Sequence, residues 1–148
     1  MTASAIAGHI IDFFQNEVKQ GYLPKNLYPL QSDVGNIANA IIEGLNDSTF
    51  GDLTVFTKVI QDALLPRIDA GKLKFGSATS LTLSEWDKLY NNFDFYKSKF
   101  ILRPQAISNT PEVIHRLGVI AMNTPVEVDI YGHANSTHIN GTRLVNGI

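Results

Sequence analysis

Apolar and polar positions alternate along the chain with two periods, one close to 3.6 residues and one close to 2. Ile6, Ile10, Phe13, Phe14 and Val18 make a helical stripe, so a helix is expected from about Ala3 to Lys19, ending near Gly21. From Leu27 to Leu45 the pattern reads as a short apolar strand, a polar turn holding Gly35, and an amphipathic helix. In that helix Val34, Ile37, Ala38, Ile41, Ile42 and Leu45 share one face, and Ser32 or Asp33 is the expected cap. Leu53 to Ile60 is short and rich in β-branched residues, a second strand. A short helix follows over Asp62 to Ala70, closed by Gly71, with Pro66 tolerable near its first turn. Leu73 to Ala78 is a third strand. Thr82 and Glu85 have capping-box spacing before a helix that should bury Trp86, Leu89, Tyr90 and Phe93. Phe100 to Leu102 is a fourth strand, and Thr110-Pro111-Glu112 is a strong helix start for a segment ending near Gly118. Val119 to Met122 and Val126 to Tyr131 complete the strands, before a tail rich in Gly, Asn and Ser from Gly132 to Gly147.

Strands alternating with helices predict an α/β class with an open, mostly parallel sheet, flanking helices and right-handed connections. Ligands of such sheets sit beyond the carboxyl ends of the strands. The polar turns after Leu30, Ala78, Leu102 and Met122 are therefore expected to converge on a site. An unpaired helix N-terminus beside Gly35 suits an anion or a developing oxyanion there. The single glycine in that turn is not a dinucleotide fingerprint.

Composition narrows the chemistry. The 148 residues are 44% hydrophobic and 18% charged, as in an ordinary globular domain. A net charge of −2 gives no basic field, so nucleic acid is not an expected partner. Cysteine is absent, which excludes disulfides, thiolate-bound zinc and a thiol nucleophile. No apolar run reaches membrane-spanning length, and the first twenty residues read as neither a secretory signal nor an Arg-rich transit peptide. Asn46, Asn135 and Asn140 stand in sequons that read as chance matches. His133 and His138, with Asp129 nearby, are a candidate metal pair without an obvious third ligand, so no metal is expected. His9 and His115 sit on expected helices and read as surface or half-buried residues. No serine has nucleophile-elbow context. Asp62, Glu127 and Asp129 lie near the expected ligand edge, where their ordinary role is structural or solvated. Asn109 is either part of a helix cap or a donor to a bound ligand.

Literal strings say more than the periodicity. Pro24-Lys-Asn-Leu-Tyr-Pro-Leu-Gln-Ser-Asp-Val-Gly-Asn-Ile-Ala-Asn-Ala40 resembles the signature of the acetyl-CoA hydrolase / succinyl-CoA:acetate CoA-transferase family. His9-Ile-Ile-Asp-Phe-Phe14, Ile101-Leu-Arg-Pro-Gln105, Ile107-Ser-Asn-Thr-Pro-Glu112 and Arg116-Leu-Gly-Val-Ile-Ala-Met-Asn123 extend the resemblance in the same order. Pro125-Val-Glu-Val-Asp-Ile-Tyr-Gly-His-Ala-Asn-Ser-Thr137 is closest to the fungal acetyl-CoA hydrolase type.

The resemblance implies an incomplete CoA-transferase (NagB/RpiA-like) fold. Residues 1–148 would form one partial domain, the first part of the family's C-terminal domain. It implies acyl-CoA and small carboxylates as partners, coenzyme A as substrate and product, and no permanently bound cofactor. The missing half of the enzyme or a second copy (a homodimer) would be the protein partner. The compartment it implies is mitochondrial, with the cytoplasm as the alternative. Val34 and Gly35 would stand at the oxyanion hole and Asn109 at coenzyme A.

In the family a glutamate attacks the acyl-CoA carbonyl, giving an anhydride and then a glutamyl-CoA thioester that acetate, succinate or water resolves. The family string is Thr-Glu-Val-Ile-Gln-Asp; here it reads Thr57-Lys58-Val59-Ile60-Gln61-Asp62, with lysine in the nucleophile position. Asp33 stands where members usually have glycine, and a carboxylate there opposes charge on a substrate oxygen. Two functions follow for this chain: an acyl-CoA hydrolase or CoA-transferase, or a catalytically inactive α/β remnant that serves as a packing domain.

Overall fold

A computed structural model describes residues 2–32 and 35–144. The elements in chain order are α1 (Thr2–Gln20), β1 (Leu30–Ser32), α2 (Asn36–Asp47), β2 (Leu53–Phe56), β3 (Val59–Gln61), a 3-10 turn (Asp62–Leu64) and α3 (Leu65–Asp69). There follow β4 (Leu73–Ala78), β5 (Ser80–Thr82), α4 (Trp86–Asn91), α5 (Phe93–Lys97), β6 (Phe100–Leu102), α6 (Gln105–Ser108) and α7 (Pro111–Leu117). The chain continues through β7 (Ile120–Met122), β8 (Glu127–Val128), β9 (Ala134–Asn135), β10 (His138–Ile139) and β11 (Arg143–Leu144).

Five strands form one parallel sheet in the order β6-β4-β2-β1-β7, which is the expected α/β class. Register is set by Leu30 against Val55 on one side and against Ile120 on the other. The apolar stripes of α1 and α2 pack on each other and on the sheet. Phe14, Ala38, Ile41, Ile42 and Leu45 are buried with Leu30, Leu53 and Val55. Helices α6 and α7 lie over Thr54, Phe56, Phe75 and Ser77, leaving a cleft between themselves and the sheet.

Several local expectations change. The strand expected over Leu53 to Ile60 breaks at Thr57-Lys58. Thr57 N still donates to Ser77 O (3.0 Å), but the Lys58 carbonyl accepts from both Thr79 N (3.0 Å) and Ser80 N (3.2 Å). That pair of bonds turns the chain out of the main sheet and lets β3 pair with β5. Ser32 ends β1, so it is not the helix cap; Gly35 occupies the N-cap at φ 144°, without a side-chain cap bond. Asp33 and Val34 lie outside the described residues.

The capping box does not form, because Thr82 belongs to β5. Instead Ser84 N donates to both carboxylate oxygens of Asp62 (3.0 and 2.9 Å). Helix formation stops at Asn92 and restarts as α5. Leu89 and Tyr96 are buried, whereas Trp86, Tyr90 and Phe93 are exposed, contrary to the single-helix expectation. The strand expected over Val126 to Tyr131 shortens to β8. Asp129 Oδ1 accepts from Tyr131 N (2.8 Å) and His133 N (3.0 Å), and Gly132 at φ 84° completes the reversal.

Candidate functional site

At the carboxyl edge of the sheet β1 ends in polar residues and β2 and β7 are each followed by one, and there the chain opens into a cavity of about 400 Å³. Gln31 and Ser32 come from β1, Thr57 and Lys58 from the break after β2, and Gln61 from β3. Ser108 and Asn109 come from the end of α6, and Asn123 follows β7. Phe56, Val59, Ile114, Val119 and Ala121 supply the apolar wall. The floor is fixed by Thr57 Oγ1, which donates to Ser32 O at 3.3 Å and ties β2 to β1. Gln31 Oε1 is buried without a hydrogen-bond partner. Since an amide's oxygen and nitrogen are assigned from their bonds, the same side chain can present its NH₂ inward.

Lys58 and Asn109 thus line one cavity, with Gln31 and Ser32 of β1, Ser108 of α6 and Asn123 after β7, whereas Arg103 and Pro104, directly after β6, are not among its lining residues. The turn after Ala78 contributes indirectly, by holding the Lys58 carbonyl. Gly35 is not among the lining residues, and Val34 lies outside the described residues. Asn109 is exposed, and its backbone N–H donates to Gln105 O at 2.9 Å as α6 ends. The cap of α7 is Thr110, whose Oγ1 donates to Ala106 O rather than to an amide of the helix it precedes.

The remaining candidates serve structure. Asp62 holds the Ser84 turn, and Glu127 accepts from Asn135 Nδ2 (2.9 Å) and Asn140 N (3.4 Å). His133 Nδ1 lies 2.7 Å from Asp129 Oδ2, and His138 Nδ1 lies 2.9 Å from Thr137 Oγ1, so the two imidazoles have separate partners. That contact with the His133 ring, with backbone N–H bonds from the same turn, holds the Asp129 carboxyl below the usual carboxylate range. Among the described residues no three His, Asp or Glu side chains come together as a metal site. His9 and His115 are exposed, and among the described residues no helix is long and apolar enough to cross a membrane. The residues missed from sequence are Gln31, Thr57 and Asn123. Their signal was position: Thr57 and Asn123 directly follow the carboxyl ends of β2 and β7, and Gln31 stands one residue before the end of β1.

An open parallel sheet with a polar cavity across its carboxyl edge defines an α/β domain of the kind found in CoA-transferases. RipA from Yersinia pestis has this fold, with TM-score 0.68 and 21% identity over 92% of this chain and 30% of that one. So does 4-hydroxybutyrate CoA-transferase from Porphyromonas gingivalis, with TM-score 0.60 and 21% identity over 72% of this chain and 29% of that one. Residues 86–148 match the family model for the acetyl-CoA hydrolase/transferase C-terminal domain. Acetyl-CoA hydrolase of Schizosaccharomyces pombe is 60% identical over 99% of this chain, and that of Saccharomyces cerevisiae 57% identical over 97%. The chain belongs to the acetyl-CoA hydrolase/transferase family. It spans 29% and 28% of the length of those two relatives.

Proposed function

We propose that this chain is the acyl-group-handling part of an acetyl-CoA hydrolase or CoA-transferase, and that lysine at position 58 prevents it from running the glutamyl cycle. The cavity takes the thioester end of an acyl-CoA, with coenzyme A as substrate and product and small carboxylates as acceptors. One observation carries the reading: Lys58, at the family's nucleophile position, and Asn109 line the same cavity. An ammonium cannot form the anhydride, and an amine would give an amide that the thiolate does not reopen. The remaining length of the relatives, or a second copy, closes the open side of the cavity. A role in acetate metabolism and a mitochondrial setting, with the cytoplasm as the alternative, rest on the family resemblance.

The test is a chimera in which these 148 residues replace the matching segment of the S. pombe acetyl-CoA hydrolase, with Lys58 kept or changed. With Lys58→Glu and Asp33→Gly together, acetyl-CoA cleavage should exceed that of the Lys58 chimera by on the order of 10³-fold or more. Equal and measurable acetyl-CoA cleavage by the two chimeras would overturn this account of the nucleophile. Lys58 also supports the second reading, a packing domain without catalysis. A doubly substituted chimera that folds but shows no activity would favour it.

A further inference from the structure

We propose that Lys58 is a self-acylation site, whose Nζ takes the acyl group from an acyl-CoA thioester once and keeps it. The proposal rests on the acyl-CoA reading of the cavity and adds a covalent modification to it. Lys58 is the one charged side chain lining the cavity among the described residues. It is exposed, and no ion pair or hydrogen bond of the described residues engages its Nζ. Other lysines are engaged: Lys88 with Asp69 (2.6 Å), Lys97 with Asp94 (2.6 Å), and Lys99 over the Phe95 ring.

The backbone that carries the amine is held. The Lys58 carbonyl accepts from Thr79 N and Ser80 N, and the preceding Thr57 is bonded through both its N–H and its hydroxyl. Phe56, Val59 and Ile114 give an acyl chain an apolar wall. Asn109 and Asn123 place uncharged amide donors around the same space, suited to the oxygen of a tetrahedral intermediate.

The step balances without another reagent. The ammonium loses a proton to solvent, and the amine lone pair forms a C–N bond to the thioester carbonyl carbon. The C–S bond then breaks, and coenzyme A leaves as the thiolate. One of the two remaining nitrogen protons passes, directly or through solvent, to that sulfur. The products are N-acyl-lysine and free coenzyme A. Because the amide is stable to thiolate and water, each chain reacts once.

The full chain is incubated with acetyl-CoA, with acetyl occupancy at each lysine followed by peptide mass spectrometry and thiol release followed by colorimetry. Lys58 should acetylate about 10-fold or more faster than the exposed Lys25 and Lys97, from effective concentration alone. Thiol release should show a fast phase of about one equivalent above the slow background of the other lysines, and that phase should be lost in Lys58→Arg and slowed in Asn109→Ala while Lys97 acetylation is unaffected. Acetylation of Lys58 at the rate of Lys97 would overturn the proposal. Equilibrium binding of coenzyme A to Lys58→Arg separates the two levels. Binding without selective acetylation removes self-acylation alone, whereas neither binding nor selectivity removes the acyl-CoA reading as well.

Discussion

At the scale of single residues, Tyr96 carries the most consequential polar atom of the core. Only 2% of its surface is exposed, and a hydroxyl buried so deeply needs a partner. It donates to Asp69 Oδ1 at 2.5 Å, while Lys88 Nζ lies 2.6 Å from Asp69 Oδ2, so α3, α4 and α5 meet at one carboxylate. Burial pushes the Asp69 carboxyl up, but the bonds from Lys88 and Tyr96 and the lysine charge outweigh it and hold the group below its ordinary range. Burial, and then the bond to Asp69, push the Tyr96 phenol up to about 12. The signs follow from linkage. A depressed carboxyl contributes stability above the ordinary aspartate value of about 3.9 and loses it as pH falls through its folded value. A raised phenol contributes below about pH 10 and loses its contribution as pH climbs through the folded value. Tyr96→Phe should therefore cost about 1–2 kcal/mol in urea unfolding near neutral pH. The gap from the parent should narrow as acid protonates Asp69. A gap that stays constant down to about pH 2, well below the ordinary aspartate value, would show that the carboxylate contributes nothing.

At the scale of elements, Gly118 closes α7 at φ 66° and aims the chain into β7, whose Ile120 N donates to Pro29 O (2.9 Å). A Cβ there would meet Tyr28 ring carbons at 3.5 Å, an ordinary contact, so the cost of Gly118→Ala is the left-handed backbone itself. It should lower stability by about 1 kcal/mol in thermal or urea unfolding, and an unchanged midpoint would argue against that conformation. Elements of this kind were legible in the sequence. The stripe of α1, the strand Leu73–Ala78 and the Thr-Pro-Glu start and Gly118 stop of α7 each carry their instructions within a few residues. The break between β2 and β3 was not, because Leu53 to Ile60 reads as one strand and the turn is imposed by Thr79 and Ser80 from another part of the chain. Likewise Asp62, 22 residues away, accepts from Ser84 N and fixes the turn where a capping box was expected. The burial assigned to Phe93 assumed an unbroken helical period, which the stop at Asn92 destroys, while within α4 itself only Leu89 of the expected face is buried and Trp86 and Tyr90 stay exposed. For the site, Lys58 and Asn109 were legible through their strings. Gln31, Thr57 and Asn123 needed the register of β2-β1-β7.

At the scale of the molecule, the sheet has two free sides. Among the described residues β6 pairs only with β4 and β7 only with β1, so each exposes backbone donors and acceptors along one edge. Beside β7 runs an apolar cleft of about 550 Å³ between α1 and α2, lined by Ile6, Ile10, Phe13, Ile41 and Met122. Near β6 the exposed Trp86, Tyr90, Phe93 and Phe95 decorate α4 and α5. Apolar surface at both edges exceeds what scattered single residues explain, and it favours association of the isolated chain. Sedimentation velocity should show the average mass rising with concentration through the micromolar range. Phe13 is 56% exposed, so Phe13→Lys should change stability by no more than about 0.5 kcal/mol. The same substitution puts a charge in the cleft beside β7 and should shift the distribution toward monomer. If instead the parent chain sediments as a monomer at every concentration and melts in one cooperative step, the two edges are protected by the chain's own packing.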